Sequence, residues 1–301
     1  MSVAALLFDV IGPVVVLVAI GAVVGTRLHI HPAPLASSAY WLLGPAFVFD
    51  NLYDAELAGD LIVKLVVASL ASMLGAGLFA WVITTAAGGQ GATRSAAVLT
   101  SAYGNVGNAG LAISAFALGD DVLPIASVVM LSINITGLAM GVGLAAARTT
   151  TPARALGRAL LAPMTVAGAL AVIVNAGDVD IPLIVERPMV LMSEAMIPVM
   201  LLTLGLQLVR TGLPAWSVAL SATIIGKLVI APLAGAATAT ALGLDGDAFS
   251  VLVIQAAMPP AVFCALIAIE HDYERDRITS AVVATTLVSL ATTPVVLALT
   301  T

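Results

Sequence analysis

The chain is 301 residues long, 61% of them hydrophobic and only 9% charged, with 26 Gly and 15 Pro. Soluble domains average about 45–50% apolar and about 25% charged, so a water-soluble fold is excluded; the mean hydropathy of +1.13 assigns the length to membrane spans, leaves no room for a soluble catalytic domain and argues against an enzyme. Lys and Arg number 11 against 17 Asp and Glu, a net charge of −6 that offers no basic face to nucleic acid.

At roughly 20 residues per span, the apolar runs predict an all-α integral membrane protein of ten spans. They lie at about 4–25, 34–50, 61–86, 95–118, 122–146, 155–176, 188–209, 215–242, 248–269 and 278–299. No Lys or Arg precedes Arg27, and the first run is long enough to span, which argues against a cleavable signal peptide. Span 1 is followed by His29 and His31; nothing nearby completes a metal site, so none is expected and both read as interfacial side chains. Span 2 ends at Asp50 and Asn51, which face either an aqueous entrance or ordinary solvent. Span 3 opens with Asp60 and Lys64, an i,i+4 pair whose lysine snorkels to the interface. Asn134 is a lone amide in span 5, most often used for a helix–helix hydrogen bond. Glu194 enters span 7 from one side and Lys227 enters span 8 from the other, to a similar depth of roughly 10 Å at 1.5 Å per residue. They read either as an ion pair or as substrate- or proton-coupling groups. The single cysteine, Cys264, lies in the apolar run of span 9 and builds no disulfide framework.

Arg27, Arg94, Arg148, Arg154, Arg158, Arg210, Arg275 and Arg277 all follow odd-numbered spans, whereas the other side has Arg187 and Lys64. The positive-inside rule then puts both termini outside. The two halves align on their irregular residues. Pro13 matches Pro163, Pro45 matches Pro198, and Ser101-Ala-Tyr-Gly104-Asn105-Val-Gly107-Asn108 falls over Gln255-Ala-Ala-Met258-Pro259-Pro260-Ala-Val262. Five spans is an odd number, so residues 1–150 and 151–301 are expected as inverted repeats.

Spans 4 and 9 each carry a helix breaker at the same repeat position. Pro259 and Pro260 lack an N–H, so the carbonyls of Gln255 and Ala256 lose their i+4 donors. Gly104, Gly107 and Gly110 weaken span 4 around Asn105 and Asn108. Non-helical backbone at membrane depth survives only where protein or a water-filled cavity satisfies it. Two such breaks crossing at the midplane would expose half-helix N-termini, which suit an anion; the freed carbonyls could instead hold a cation. The candidate binding set is Ser101, Gly104, Asn105, Gly107, Asn108, Asn134, Gln255, Met258, Pro259 and Pro260, with Asp50 and Asn51 at the entrance.

Gly104-Asn105-Val-Gly107-Asn-Ala-Gly110-Leu111 resembles the Gly-Asn-x-Gly-x-x-Gly-Leu-Pro element of the auxin efflux carrier family, which includes the plant PIN-FORMED proteins and bacterial organic-acid carriers. Val253-Ile-Gln255-Ala-Ala-Met-Pro259-Pro-Ala-Val is similar to its Gln-Ala-x-x-Pro stretch. Phe47-Val-Phe49-Asp50-Asn51-Leu-Tyr53, the charged loop 270–277, Thr286 and Pro294 extend the likeness over nearly the whole chain. The resemblance implies the fold of bile acid:sodium symporters, with a scaffold of 1–57 plus 152–212 and a transport core of 58–150 plus 213–301. It implies transport of small organic anions, a carboxylate held by Asn105, and a crossover at Pro259 and Pro260. Two departures stand out: Ala112 replaces the family's usual proline, and the loop near Arg148–Arg154 lacks the regulatory insert of the plant proteins.

The leading expectation is therefore a secondary carrier of a small organic anion, working by elevator-type alternating access in a prokaryotic-type cell membrane. It needs the lipid bilayer and no cofactor, and a homodimer would form through the scaffold. Coupling to Na+ or H+ stays open. A sodium symporter of the bile-acid type would be expected to place a carboxylate in the span-9 crossover, and 248–269 has none there; Ser101, Asn105, Gln255 and backbone carbonyls are the remaining sodium ligands. A sodium/proton exchanger or an intramembrane aspartyl protease would need buried mid-span aspartates, yet Asp60, Asp120, Asp178 and Asp247 fall at span ends. A passive channel or sensor is the other alternative.

Overall fold

A computed structural model describes residues 6–145, 151–209, 216–270 and 272–301, all-helical and without a β-strand among the described residues. Arg148 and Arg210, two of the eight orienting arginines, and the boundary between the proposed repeats lie outside the described residues.

The helices follow the apolar runs, punctuated by proline and glycine. α1 (Gly12–Leu28) continues a π-helical turn, Leu6–Ile11, and stops at His29, whose φ of 55° is left-handed. α2 (Pro32–Ser38) starts on a proline, its first free N–H, that of Ala33, capped by His31 Nδ1 at 3.3 Å. A π-helical turn, Ala39–Leu43, joins it to α3 (Gly44–Leu52). α4 (Gly59–Ala86) carries the Asp60–Lys64 pair at 3.3 Å, exposed and so worth little. Next come α5 (Gly91–Ala102), α6 (Leu111–Leu118) and α7 (Leu123–Ala145). The expected single span 6 is instead two helices, α8 (Pro152–Leu160) and α9 (Pro163–Ala176), bent by 57°. The cause is Pro163, which has no N–H to carry the helix through Leu161 and Ala162. α10 (Leu183–Leu208) keeps Pro188 and Pro198 inside it. α11 (Val218–Ile225) runs through a π-helical turn, Gly226–Ile230, into α12 (Ala231–Ala241). α13 (Gly246–Ala256), α14 (Val262–Glu270) and α15 (Arg275–Thr300) complete the described chain.

Among the described residues six helical stretches are long and apolar enough to cross a membrane, or seven with α8 and α9 as one bent span. Predicted spans 2, 4 and 9 are built from shorter pieces.

The helices pack in two groups, which meet where α8 lies along α7 and where α3 and α9 touch α7. α10 lies against α1, α2 and α3, and α9 against α3; α4 lies against α5, α7, α11 and α12, while α13 and α14 pack on α15. Within the first group α1 and α10 cross at glycines. A Cβ on Gly21 would overlap the Leu202 carbonyl, and one on Gly205 the Val18 carbonyl. Without a hydrophobic drive between helices in lipid, such close approach is how dispersion holds them together. Gly205→Val should therefore cost on the order of 3 kcal/mol by overpacking, read as a lowered thermal midpoint in detergent. Gly59→Ala, whose Cβ meets nothing, should melt with the wild type.

Candidate functional site

α5 ends because Tyr103 leaves the helix at ψ 101°, its N–H still bonded to the Leu99 carbonyl at 2.9 Å. Gly104 and Asn105 continue non-helically, and the chain re-enters through a π-helical turn, Val106–Gly110, in which the Asn105 carbonyl accepts from Ala109 and Gly110. α13 ends for the reason its prolines dictate: the last helical N–H groups are those of Ala257 and Met258, and Pro259 and Pro260 have none to offer.

The two breaks meet. Gly104 and Pro260 form an antiparallel bridge. The Asn105 N–H donates to the Pro259 carbonyl at 2.7 Å, and the Ala261 N–H donates to the Tyr103 carbonyl at 2.8 Å. Each break thus gives the other one backbone donor and one backbone acceptor, as buried backbone requires.

Side chains around this crossing are buried but not satisfied. Asn105 is 3% exposed and Gln255 and Ser101 are fully buried. Yet Asn105 Nδ2, Gln255 Oε1 and Ser101 Oγ have no hydrogen-bond partner, while Gln255 Nε2 donates to the Ala126 carbonyl of α7 at 3.1 Å. A Cβ on Gly110 would lie 3.3 Å from Gln255 Cγ and 3.4 Å from Met258 Cγ, so the glycine motif of one break packs on the proline motif of the other. Asn108 and Met258 are buried in the same region, and Gly107 faces Met130 of α7. Asn134 joins through Tyr103, whose hydroxyl donates to Asn134 Oδ1 at 3.1 Å.

Other candidates lie elsewhere. Asn51 gives its amide to the Phe47 carbonyl of its own helix at 2.9 Å. Asp50 belongs to an acidic end with Tyr53, Asp54 and Glu186; partial burial, then Asp54, Glu186 and Asp50, push the Tyr53 phenol up. No ion pair joins Glu194 to Lys227. Ser193 and Met196 face the packed side of α10, which leaves Glu194 exposed. Lys227 is buried against the crossing instead: a Cβ on Gly104 would sit 2.7 Å from Lys227 Nζ.

Tyr103, absent from the expected set, is central to this arrangement. Its ring lies where any side chain at Gly137 would be, and it lines a cavity of about 30 Å³ with Tyr40, Asn134, Met164 and Phe263, between α7 and the bend of α8 and α9. That volume admits water and not an organic anion. The signal was present, since Tyr103 directly precedes the break. A second cleft, about 270 Å³, opens between α5, α11 and α15. Arg277 and Asp276 line it, and it reaches the buried pair Thr100 and Thr223, whose hydroxyls are 2.9 Å apart.

Tyr103→Phe should leave Asn134 Oδ1 without its donor and cost about 1 kcal/mol. Gly137→Val, which displaces the ring, should cost more. Thermal midpoints in detergent check both, and a Tyr103→Phe protein melting with the wild type would count against the bond.

A family model described as "Membrane transport protein" matches residues 150–297. A relative from Methanothermobacter thermautotrophicus, named an uncharacterized transporter, is 28% identical over 253 residues, covering 83% of each chain. With the Gly-Asn-x-Gly and Gln-Ala-x-x-Pro motifs meeting as one crossing, and with multiple apolar helices around them, this multi-pass membrane protein is similar to membrane transport proteins, over residues 150–297 for the family model and over most of its length for the relative.

Proposed function

We propose that the chain is a secondary carrier of a small organic anion and that the crossing of the two breaks is its binding site. The observation that carries this reading is the set of buried, unpartnered polar atoms on the two breaks, whose backbones are joined by two hydrogen bonds. Unsatisfied buried groups are costly, and an arriving ligand removes that cost. The Asn105 amide donates to a carboxylate oxygen, and Ser101 and Gln255 hold the remaining polar edge.

In this reading ten spans form two inverted repeats of five, with both termini outside the cell membrane. α1–α3 and α8–α10 form the fixed scaffold, while α4–α7 and α11–α15 carry the substrate past it by an elevator movement. The two packing groups support that division. So does the small cavity beside Tyr103, which must widen before an organic anion enters. A passive channel is the alternative. It needs no such movement, and its flux would neither saturate nor respond to anion on the far side.

The test uses proteoliposomes and a labelled carboxylate. Uptake should saturate, accelerate with unlabelled anion inside, and fall at least tenfold in Asn105→Ala while that variant keeps its thermal midpoint. Unchanged affinity in Asn105→Ala would remove Asn105 from the site, and uptake indifferent to internal anion would favour the channel.

A further inference from the structure

Lys227 is 1% exposed and ranks among the largest fully buried side chains. It sits on the π-helical turn Gly226–Ile230, a local departure from α-geometry often found at functional sites. Among the described residues it makes no hydrogen bond and no ion pair. The space it fills is set by two glycines. The absent side chain of Gly104 leaves room for the ammonium, with Nζ 2.7 Å and Cε 3.0 Å from where a Cβ would be. The absent side chain of Gly226 lets Ser101 Oγ approach to 3.1 Å of its Cβ position. Cys264 of α14 is the titratable neighbour within electrostatic reach, and no carboxylate is.

An ammonium buried without a counter-charge is strongly disfavoured, and such intramembrane lysines mark ion or substrate paths. The breaks and the helix end beside it carry one amide donor on Asn105, one amide acceptor on Gln255 and one hydroxyl on Ser101, all unpartnered. That set lacks a single element, a negative charge with oxygen acceptors. It also leaves a metal cation repelled whenever the lysine beside the backbone of the break holds its proton.

Resting on the carrier reading above, we infer that Lys227 is the counter-charge of the substrate: the site takes a monocarboxylate, whose charge the lysine ammonium neutralises, and it needs no bound sodium because the lysine stands where a coupling cation would. Asn105 and Lys227 then grip the carboxylate together, with charge-assisted hydrogen bonding from the ammonium. A dicarboxylate would leave its second charge unmatched in the buried site.

Purified wild type, Lys227→Met, Lys227→Gln and Lys227→Arg are compared by thermal shift against acetate, butyrate, benzoate and succinate, in sodium and in choline buffer. Ligand that binds the native state raises the midpoint by mass action. The wild type should be stabilised by at least one monocarboxylate, more than by succinate, equally in both buffers. The two neutral variants should melt at or above the wild-type temperature without ligand, since a buried charge has gone, and should bind at least tenfold more weakly. Lys227→Arg should keep most of the affinity. Equal affinity in the neutral variants, a sodium requirement in the wild type, or neutral variants that melt lower or fail to fold would overturn the inference while leaving the carrier reading in place. A wild type indifferent to every carboxylate would instead overturn the anion reading itself, and this inference with it.

Discussion

Two hydrogen bonds between interrupted helices, Asn105 N–H to Pro259 and Ala261 N–H to Tyr103, fix the rest of the molecule's centre. Prolines make this arrangement obligatory, because a segment with no N–H at 259 and 260 cannot close a helix and must find its partners elsewhere. In a surround without water those partners have to be protein. The Tyr103–Asn105 segment supplies them because it too has left its helix, and the antiparallel pairing sets which residues lie opposite. Gly104 is brought over Pro260, Gly110 over Gln255 and Met258, and Lys227, on the π-helical turn after α11, into the gap beside Gly104.

The contrast between backbone and side chain gives the site its chemistry. At the crossing two main-chain hydrogen bonds join the breaks, while an amide nitrogen, an amide oxygen and a hydroxyl are buried without partners and a lysine is buried without a counter-ion. Natural cores satisfy such groups. A fold that leaves those side chains open has kept their hydrogen-bonding capacity for something that comes and goes. The bond from Tyr103 to Asn134 ties the break to α7 and holds the ring over Gly137.

The breaks were legible in the sequence because their causes are local. A proline pair and a glycine-rich asparagine run state their backbone consequences without reference to any neighbour, and apolar run length located the helices. The resemblance to the family rested on the same two motifs, and half of one chain and most of a relative agree with it. What the sequence did not give is azimuth. Counting residues from a span end placed Glu194 and Lys227 at one depth but said nothing of the direction in which each points, so their pairing failed: Glu194 faces outward and Lys227 faces Gly104. Tyr103 was overlooked for a related reason, since its value lies in an aromatic ring meeting a glycine 34 residues away, a contact that only the packing of α7 creates. The bend at Pro163 was visible as a residue but not as an angle.

The most direct measurement is the position of a bound anion. Crystals grown with a bromo-substituted monocarboxylate would give an anomalous bromine peak that needs no interpretation of weak density. The crossing account predicts that peak beside Asn105 and Lys227, with the carboxylate turned toward the break. A peak confined to the acidic end near Tyr53, or to the surface of the helices, with the crossing unchanged, would contradict it.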